Sequence, residues 1–265
     1  MKTGLDRERL LTGAVGEDRE VLARALDLAE LAMRYRQFQR TDFLNPYQVQ
    51  LILAVMARLA DVRAIGDGGY PEAERQQIVV YPDYLQWEDG SEGLAFLQLS
   101  GQFGQTRQPN HRDYLGALLG LGLKRSKLGD ILVDEQGAQL IVAQEVAGFI
   151  QANLLQVSRW SVEIQETTRQ ALRLPEKKGK EVCCTVASLR LDAVAAAGYG
   201  ISRSKLVGEI NGENAMLNWK PCKDPGRNVQ EGDVISFKGR GRMEIVSVNG
   251  TSRKGRIFVT LRRLL

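Results

Sequence analysis

Two serines, an arginine and a lysine stand together in the motif Ile201-Ser202-Arg203-Ser204-Lys205-Leu206. Serine is a residue type that caps helices, so we predict a helix over residues 202–210. The N–H groups and the positive dipole end at the start of a helix attract anions. The hydroxyl and cationic side chains of the first turn add donors and charge, so the motif predicts a phosphate-binding site. The same pattern is also common in helices that bind nothing.

A second basic motif, Ser188-Leu189-Arg190-Leu191-Asp192, precedes a predicted helix over residues 192–197 that stops at Gly198. Arg190 begins this partner helix, where it either reaches the same polyanion or pairs with Asp192 or Glu209. More cations follow in two predicted loops. The complete predicted binding set is Arg190, Asp192, Ser202, Arg203, Ser204, Lys205, Lys238, Arg240, Arg242, Arg253 and Lys254.

Charge is distributed unevenly along the 265 residues. Residues 175–265 contain 17 Lys and Arg against 9 Asp and Glu, a net charge of +8. Residues 1–174 contain 19 and 23, a net charge of −4. A basic end on a mildly acidic body predicts that the C-terminal part meets a polyanion. The alternative is a solvated basic surface without a partner.

Four separated motifs in this basic part agree in type and order: Ser188 to Asp192, Ile201 to Leu206, Ile210-Asn211-Gly212, and Glu231 to Ile235. Over about residues 182–248 the pattern resembles the RNA-binding domain named after small-subunit ribosomal protein four. The resemblance implies that the predicted binding set contacts RNA. Since phosphate contacts do not read sequence, we expect specificity to come from RNA shape.

The middle of the chain contains His111-Arg112-Asp113, which suggests the catalytic loop of a kinase. That interpretation fails, because Leu118 stands where the loop needs its metal-binding Asn and no Gly-rich phosphate loop precedes it. Together with Leu128-Gly129-Asp130-Ile131-Leu132 and the Phe43-Leu44 pair ahead of Pro46, the run instead resembles the YlmH-type family.

The YlmH-type resemblance spans most of the chain and implies a helical part, a ferredoxin-like part and the RNA-binding domain. It further implies binding of rRNA or tRNA at the large ribosomal subunit, in quality control or assembly. Cyanobacterial and plastid members often carry a photosystem-related label, so assembly of photosynthetic complexes through protein contacts is one alternative function. A possible second RNA-facing patch consists of His111, Arg112, Lys124, Arg125 and Lys127.

Hydrophobic periodicity predicts the elements that must position these groups. A helix is expected over residues 18–38, and a second begins at Pro46 with Asn45 as its cap. The breaker Gly66-Asp67-Gly68-Gly69-Tyr70-Pro71 predicts a boundary. Strands and helices then alternate as strands 77–81 and 94–99, a helix after Pro109, strands 131–133 and 139–142, helix 144–155 and strand 160–164.

The predicted class is therefore α+β, in three domains. A helical N-terminal domain is expected over 1–70, a ferredoxin-like central domain over 71–173, and the RNA-binding domain over 182–265. In the last domain, two helices pack on a sheet of short strands. These strands are expected over 215–219, 233–237, 243–248 and 257–261, with a hairpin loop that opens at Asn249-Gly250.

Several functional classes lack their signatures in this sequence. No apolar run approaches the roughly 18 residues of a membrane span, and the charged first residues do not resemble a signal peptide, so we expect a cytoplasmic protein. The three cysteines and one histidine form no disulfide framework or zinc motif. With no catalytic triad and no Walker loop, we expect neither an enzyme nor a cofactor. An RNA-modifying enzyme that uses Asp113 or Asp130 is the other alternative.

Overall fold

The computed structural model describes residues 6–88, 93–103, 108–174 and 179–264. The chain divides into two compact units, residues 1–175 and 176–265, and each combines helices with antiparallel sheets. The predicted α+β class is confirmed. The first unit contains helices α1 (Arg7–Leu10), α2 (Gly16–Tyr35), α3 (Pro46–Met56), α4 (His111–Gly120) and α5 (Gln144–Asn153). Its strands are β1 (Gln39–Arg40), β2 (Val62–Asp67), β3 (Gln77–Pro82), β4 (Leu94–Ser100), β5 (Leu128–Asp134), β6 (Gly137–Ala143), β7 (Gln156–Val157), β8 (Trp160–Ser161) and β9 (Glu163–Thr167).

The N-terminal part packs α2 and α3 on a three-stranded sheet of order β1-β3-β2. Helix α3 begins as predicted, because the Asn45 side chain accepts from the Gln48 N–H and the Gln48 side chain accepts from the Asn45 N–H. Strand β3, which the sequence assigned to the central domain, pairs with β2 and β1 instead. The Gly66–Pro71 turn thus lies inside a hairpin, and the first sheet extends past the predicted boundary at 70.

The central part confirms the predicted ferredoxin-like arrangement. Its antiparallel sheet has the order β5-β6-β4-β9, with α4 and α5 as the two crossover helices. Tyr114 and Leu118 of α4 and Ile150 of α5 are buried against one face of this sheet. The strand predicted over 160–164 is broken in two, because β8 pairs with β7 whereas β9 pairs with β4 in the main sheet.

The opposite face of the ferredoxin-like sheet is covered by the N-terminal part of the same unit. Leu132 and Ile141 point to this face and pack with Phe43, which is 2% exposed. RNA-recognition sheets of this topology stack bases on an open face. Because this face is filled by Phe43, it offers no such platform.

The second unit contains α6 (Leu191–Tyr199) and α7 (Arg203–Asn211) on one six-stranded sheet. Leu206 and Ile210 of α7 pack with Met243 and Leu261 in its core. The strands, in the spatial order β10-β15-β14-β13-β11-β12, are β10 (Gly179–Val186), β11 (Ala215–Leu217), β12 (Lys220–Pro221), β13 (Val234–Phe237), β14 (Gly241–Thr251) and β15 (Ile257–Leu264).

Three boundaries in this unit differ from the sequence prediction. Helix α6 runs through Gly198 to Tyr199, because Gly200 is the residue that adopts the left-handed conformation, with φ of 66°. Trp219 was expected in a strand, but with Asn218 it has positive φ and forms the β11–β12 turn. Strand β14 continues past Asn249-Gly250, so the β14–β15 hairpin turns at residues 252–256.

Among the described residues, no helix has both the length and the apolar character that crossing a membrane requires.

Candidate nucleic-acid interface

Helix α6 begins against a loop of its own unit. The N–H of Leu191 donates to the carbonyl of Arg227 at 2.8 Å, and the N–H of Asp192 donates to that of Pro225 at 3.1 Å. These two amides have partners and are not available to a ligand. The N-terminal end of α6 therefore positions Arg190, which immediately precedes it, rather than binding phosphate through its backbone.

Helix α7 begins differently. Ser202 precedes its first residue, but in the part of the chain that the structure describes its side chain makes no capping hydrogen bond. Ser202, Arg203, Ser204 and Lys205 are all exposed, whereas Leu206 is fully buried. The predicted capping by the Ser202 hydroxyl is thus absent, and both hydroxyls of the first turn face solvent with the two cations. Leu206 fixes the helix while the polar first turn stays accessible.

A buried carboxylate joins the starts of the two helices. Asp192, only 2% exposed, accepts two hydrogen bonds from Arg203 at 2.9 and 3.0 Å and two longer ones from Arg190, both at 3.4 Å. The side chains of Arg190 and Arg203 remain 44% and 50% exposed. One negative charge holds two positive ones, so the cluster retains a net charge of +1 and presents two oriented guanidinium groups to solvent.

Asp192 is held in its ionised form by these two arginines. Burial alone disfavours the charged carboxylate, but the hydrogen bonds from Arg190 and Arg203 outweigh it and lower the pKa of Asp192 below its ordinary value. The cluster is therefore fully charged near neutral pH.

Arg240, in the turn between β13 and β14, contacts α7 near the other end of that helix. Its guanidinium contacts both carboxylate oxygens of Glu209, at 2.9 and 2.5 Å, and this hydrogen bonding lowers the pKa of Glu209. Arg203 and Glu209 are six residues apart, which is about 9 Å along a helix axis. Arg240 is thus placed along the same helix as the Asp192 cluster, and exposed Lys205 lies between the two.

The remaining predicted cations lie at the two opposite ends of strand β14. Lys238 is exposed just before β14, and Arg242 is half-buried at its beginning. Arg253 and Lys254 are exposed in the turn after β14. Because β14 has 11 residues, the two ends lie roughly 30 Å apart at about 3.3 Å per residue. The sequence grouped these residues, whereas the structure separates Arg253 and Lys254 from Arg240.

The sequence did not single out Arg227. Its carbonyl accepts from the start of α6, its side chain is exposed, and the neighbouring Gly226 lies against the Arg190 guanidinium. Arg227 lies in an irregular loop without periodicity, so only the overall charge count included it.

The predicted second patch is partly occupied by structural contacts. Arg125 donates to the backbone carbonyls of Leu128 and Gly129, at 2.6 and 3.2 Å. Lys127 contacts Asp42 at 2.5 Å and Glu145 at 2.6 Å, and these hydrogen bonds raise its pKa. The other three members, His111, Arg112 and Lys124, are exposed.

The two carboxylates considered for catalysis also have structural partners. Asp113 accepts from the N–H of Asn110 in the capping box of α4. Asp130 accepts from the Tyr70 hydroxyl at 2.8 Å and from the N–H groups of Glu74 and Arg75 at 2.7 and 3.1 Å. In the described ranges no group of three or more His, Cys, Asp or Glu side chains could hold a metal ion.

Comparison with known proteins agrees with this architecture. Three family models match successive parts of the chain: "YlmH, N-terminal" over residues 17–85, "Putative RNA-binding domain in YlmH" over 98–171, and "S4 domain" over 189–235. The first match continues past β3, in agreement with the pairing of that strand in the N-terminal sheet. The third match contains the Asp192 cluster and the start of α7.

One curated relative is the "Ribosome-associated protein quality control protein P2" of Bacillus subtilis strain 168. It is 34% identical over 249 residues, which are 93% of this chain and 95% of that protein. Among solved structures, the "Cell division protein ylmH from Streptococcus pneumoniae" matches with a TM-score of 0.52 and 24% identity. The match covers 59% of this chain and 94% of that one and indicates a shared fold. Neither name carries a photosystem label, which stays a prediction.

Proposed function

Because the chain belongs to the YlmH family, we propose that its C-terminal unit binds structured RNA, either rRNA or tRNA, on the large ribosomal subunit. The observation that carries this proposal is a pair of oriented, half-exposed arginines held by Asp192: Arg190 before the start of α6 and Arg203 at the start of α7. Guanidinium groups form paired hydrogen bonds with phosphate oxygens, and a helix start adds backbone donors.

The name of the Bacillus relative supports a role in ribosome-associated quality control. In this proposal, the protein works in the cytoplasm and holds an RNA in place without catalysing a reaction on it. The hydrogen bonds that Asp113 and Asp130 accept from backbone N–H groups give both carboxylates a structural role.

The double variant Arg203→Ala plus Lys205→Ala tests the proposal in the intact protein. We expect RNA affinity to fall about tenfold or more, since a hydrogen bond to a charged group contributes roughly 1.5–3 kcal/mol. The slope of log K against log salt should also become shallower, by about one for each lost phosphate contact. Fluorescence anisotropy with fragments of large-subunit rRNA and with tRNA, over a salt series, measures both quantities.

The matched control removes two exposed arginines from α2, with Arg19→Ala plus Arg24→Ala. This variant has the same change in net charge and should leave affinity and salt slope close to those of the wild type. Equal affinities for the wild type and the α7 variant, with both proteins folded, would contradict the proposal.

A further inference from the structure

The first unit contains an open cleft of about 490 Å³ beside the Gly66–Pro71 turn. Tyr70, Trp87, Leu172 and Leu174 supply aromatic and apolar walls, and Asp67 and Arg169 line it with charged groups. This volume lies in the range of small-molecule sites, which combine apolar walls with a few convergent polar groups. We propose that the cleft binds a single nucleotide, with its base against Trp87 and its phosphate on Arg169.

Two guanidinium groups bind one carboxylate at the charged wall of the cleft: Arg169 lines the cleft beside Asp67, and Arg40, which is not a lining residue, binds the same carboxylate. Asp67, with a side chain only 5% exposed, accepts from Arg40 at 3.2 Å and from Arg169 at 3.0 and 3.1 Å. The N–H of Gly69 donates to the same carboxylate at 3.1 Å. Both carboxylate oxygens are therefore engaged, and two guanidinium groups share one negative charge. This arrangement favours an anionic ligand.

Arg169 also has an unused hydrogen-bond donor. Within the described residues its buried Nε has no hydrogen-bond partner, which is rare for a buried N–H group. The Nη2 atom of the same guanidinium donates to both carboxylate oxygens of Asp67, and the guanidinium carbon lies 5.6 Å from the ring centre of Phe96. A phosphate oxygen that reaches Arg169 after a small side-chain shift would supply the missing acceptor.

The aromatic wall favours a flat ring as the other half of the ligand. The guanidinium of Arg40 lies 4.9 Å from the ring centre of Trp87 and fixes the indole that lines the cleft. Nucleic-acid bases stack on such side chains irrespective of base identity. A peptide ending in an apolar residue and a free carboxylate would also match the charge, but it would not need a stacked indole. The geometry therefore favours a nucleotide, either free or at an unpaired RNA end.

The indole N–H signal of Trp87 in ¹H–¹⁵N correlation spectra tests binding directly. The chain has three tryptophans, and the Trp87→Phe variant assigns its signal. Titration of the intact protein with AMP or UMP should shift the Trp87 signal saturably and leave those of Trp160 and Trp219 in place. An unmoved Trp87 signal at millimolar nucleotide would overturn the proposal.

Two variants test the roles of the walls and the charge, with calorimetry as the readout. Trp87→Leu should weaken AMP binding about tenfold, in line with the loss of one stacked base. Arg169→Lys retains the charge but not the planar donor group, and it should also weaken binding. The control is Arg159→Ala, whose guanidinium lies 4.7 Å from the ring centre of Trp160 outside the cleft. Unchanged AMP binding in folded Trp87→Leu and Arg169→Lys, or an equal loss in Arg159→Ala, would contradict the site.

Two further probes distinguish a free nucleotide from the end of an RNA as the ligand. A dinucleotide with a terminal phosphate is titrated into the Arg203→Ala plus Lys205→Ala protein, which lacks two of the proposed RNA contacts of the second unit. A Trp87 shift with the dinucleotide indicates an RNA end, and a shift with mononucleotide alone indicates a free ligand. Preferential displacement of AMP by a peptide with a free C-terminal carboxylate would overturn the nucleotide assignment. The experiments can therefore contradict nucleotide binding in the cleft without contradicting RNA binding at α7, and the reverse.

Discussion

At the residue scale, Asp192 is an acidic side chain in the middle of a surface that we propose binds a polyanion. It is buried, and its two oxygens orient Arg190 and Arg203 at the starts of adjacent helices. A guanidinium fixed in position loses less conformational freedom on contact with phosphate than a mobile one. Asp192 is therefore a positioning residue for the arginines.

The substitution Asp192→Asn gives a prediction opposite to that of simple charge counting. Removing a negative charge should strengthen RNA binding if charge alone mattered. We expect binding to weaken severalfold instead, because both arginines lose their acceptor and sample other rotamers. The control is Glu213→Gln, which removes one negative charge from an exposed residue that pairs with Lys223. RNA affinity is measured for both variants. Tighter binding by Asp192→Asn than by the control would contradict the positioning role.

The pKa of Asp192 gives a pH prediction. Its folded-state pKa is lower than its ordinary value. Its contribution to stability is therefore complete above the unfolded pKa, about 4, and is lost as the pH falls through the folded value. Urea denaturation should show that Asp192→Asn is less stable than the wild type at pH 7 by about 1–2 kcal/mol. This loss is smaller than that for a fully buried ion pair, because both arginines are half exposed. The difference should shrink as pH falls below 4, and a difference that stays constant from pH 7 to pH 3 would contradict this account.

At the element scale, the packing of α6 on the sheet depends on a glycine. A Cβ added to Gly198 would lie 2.0 Å from the Met243 sulfur and 2.8 Å from Leu261. The sequence predicted that the helix ends at Gly198, because glycine commonly follows the last residue of a helix. The residue instead permits close helix–sheet contact, and Gly200 ends the helix.

Two Gly→Ala substitutions in neighbouring helices should therefore have opposite effects. Gly198→Ala should destabilise the protein by about 1–3 kcal/mol through overpacking. Gly208→Ala, in α7, meets nothing within 4 Å and should stabilise it by up to about 1 kcal/mol, because alanine favours the helix. Urea denaturation of both variants measures the difference. Equal effects would show that α6 does not pack as closely on β14 as the structure indicates.

The elements that the sequence predicted well are those with local signals. The Asn45 cap, the helices of the ferredoxin-like part and strands β4 and β6 follow from capping and periodicity. Strand β10 was missed, because its residues Glu181, Cys183 and Cys184 give weak apolar alternation and it pairs with β15, far along the chain. Strand β3 was assigned to the wrong domain because neither of its partners, the neighbouring β2 and the more distant β1, was predicted as a strand.

For the candidate site, the sequence predicted the residues but not all of the contacts between them. Residue types and spacing indicated Arg190, Ser202, Arg203 and Lys205, all of which lie exposed at the helix starts. The sequence left open whether Arg190 pairs with Asp192, and it did not show that Arg203 shares this carboxylate. That contact brings together side chains eleven residues apart through the turn between two helices.

At the scale of the whole molecule, charge is divided unevenly between two compact units. The net positive charge lies in the second unit, which contains the Asp192 cluster. In the first unit, Phe43 covers the sheet face that RNA-recognition domains of similar topology use. We therefore assign RNA affinity mainly to the second unit and a single-nucleotide site to the cleft of the first unit.

Crosslinking in cells tests this central claim most directly. The intact protein is irradiated, digested and analysed by mass spectrometry for peptides that carry nucleotides, and the attached RNA is sequenced. We predict adducts in residues 190–205 and 238–242, on RNA from the large ribosomal subunit or on tRNA. Adducts confined to residues 1–174, or sequences without enrichment of these RNAs, would contradict docking at the start of α7.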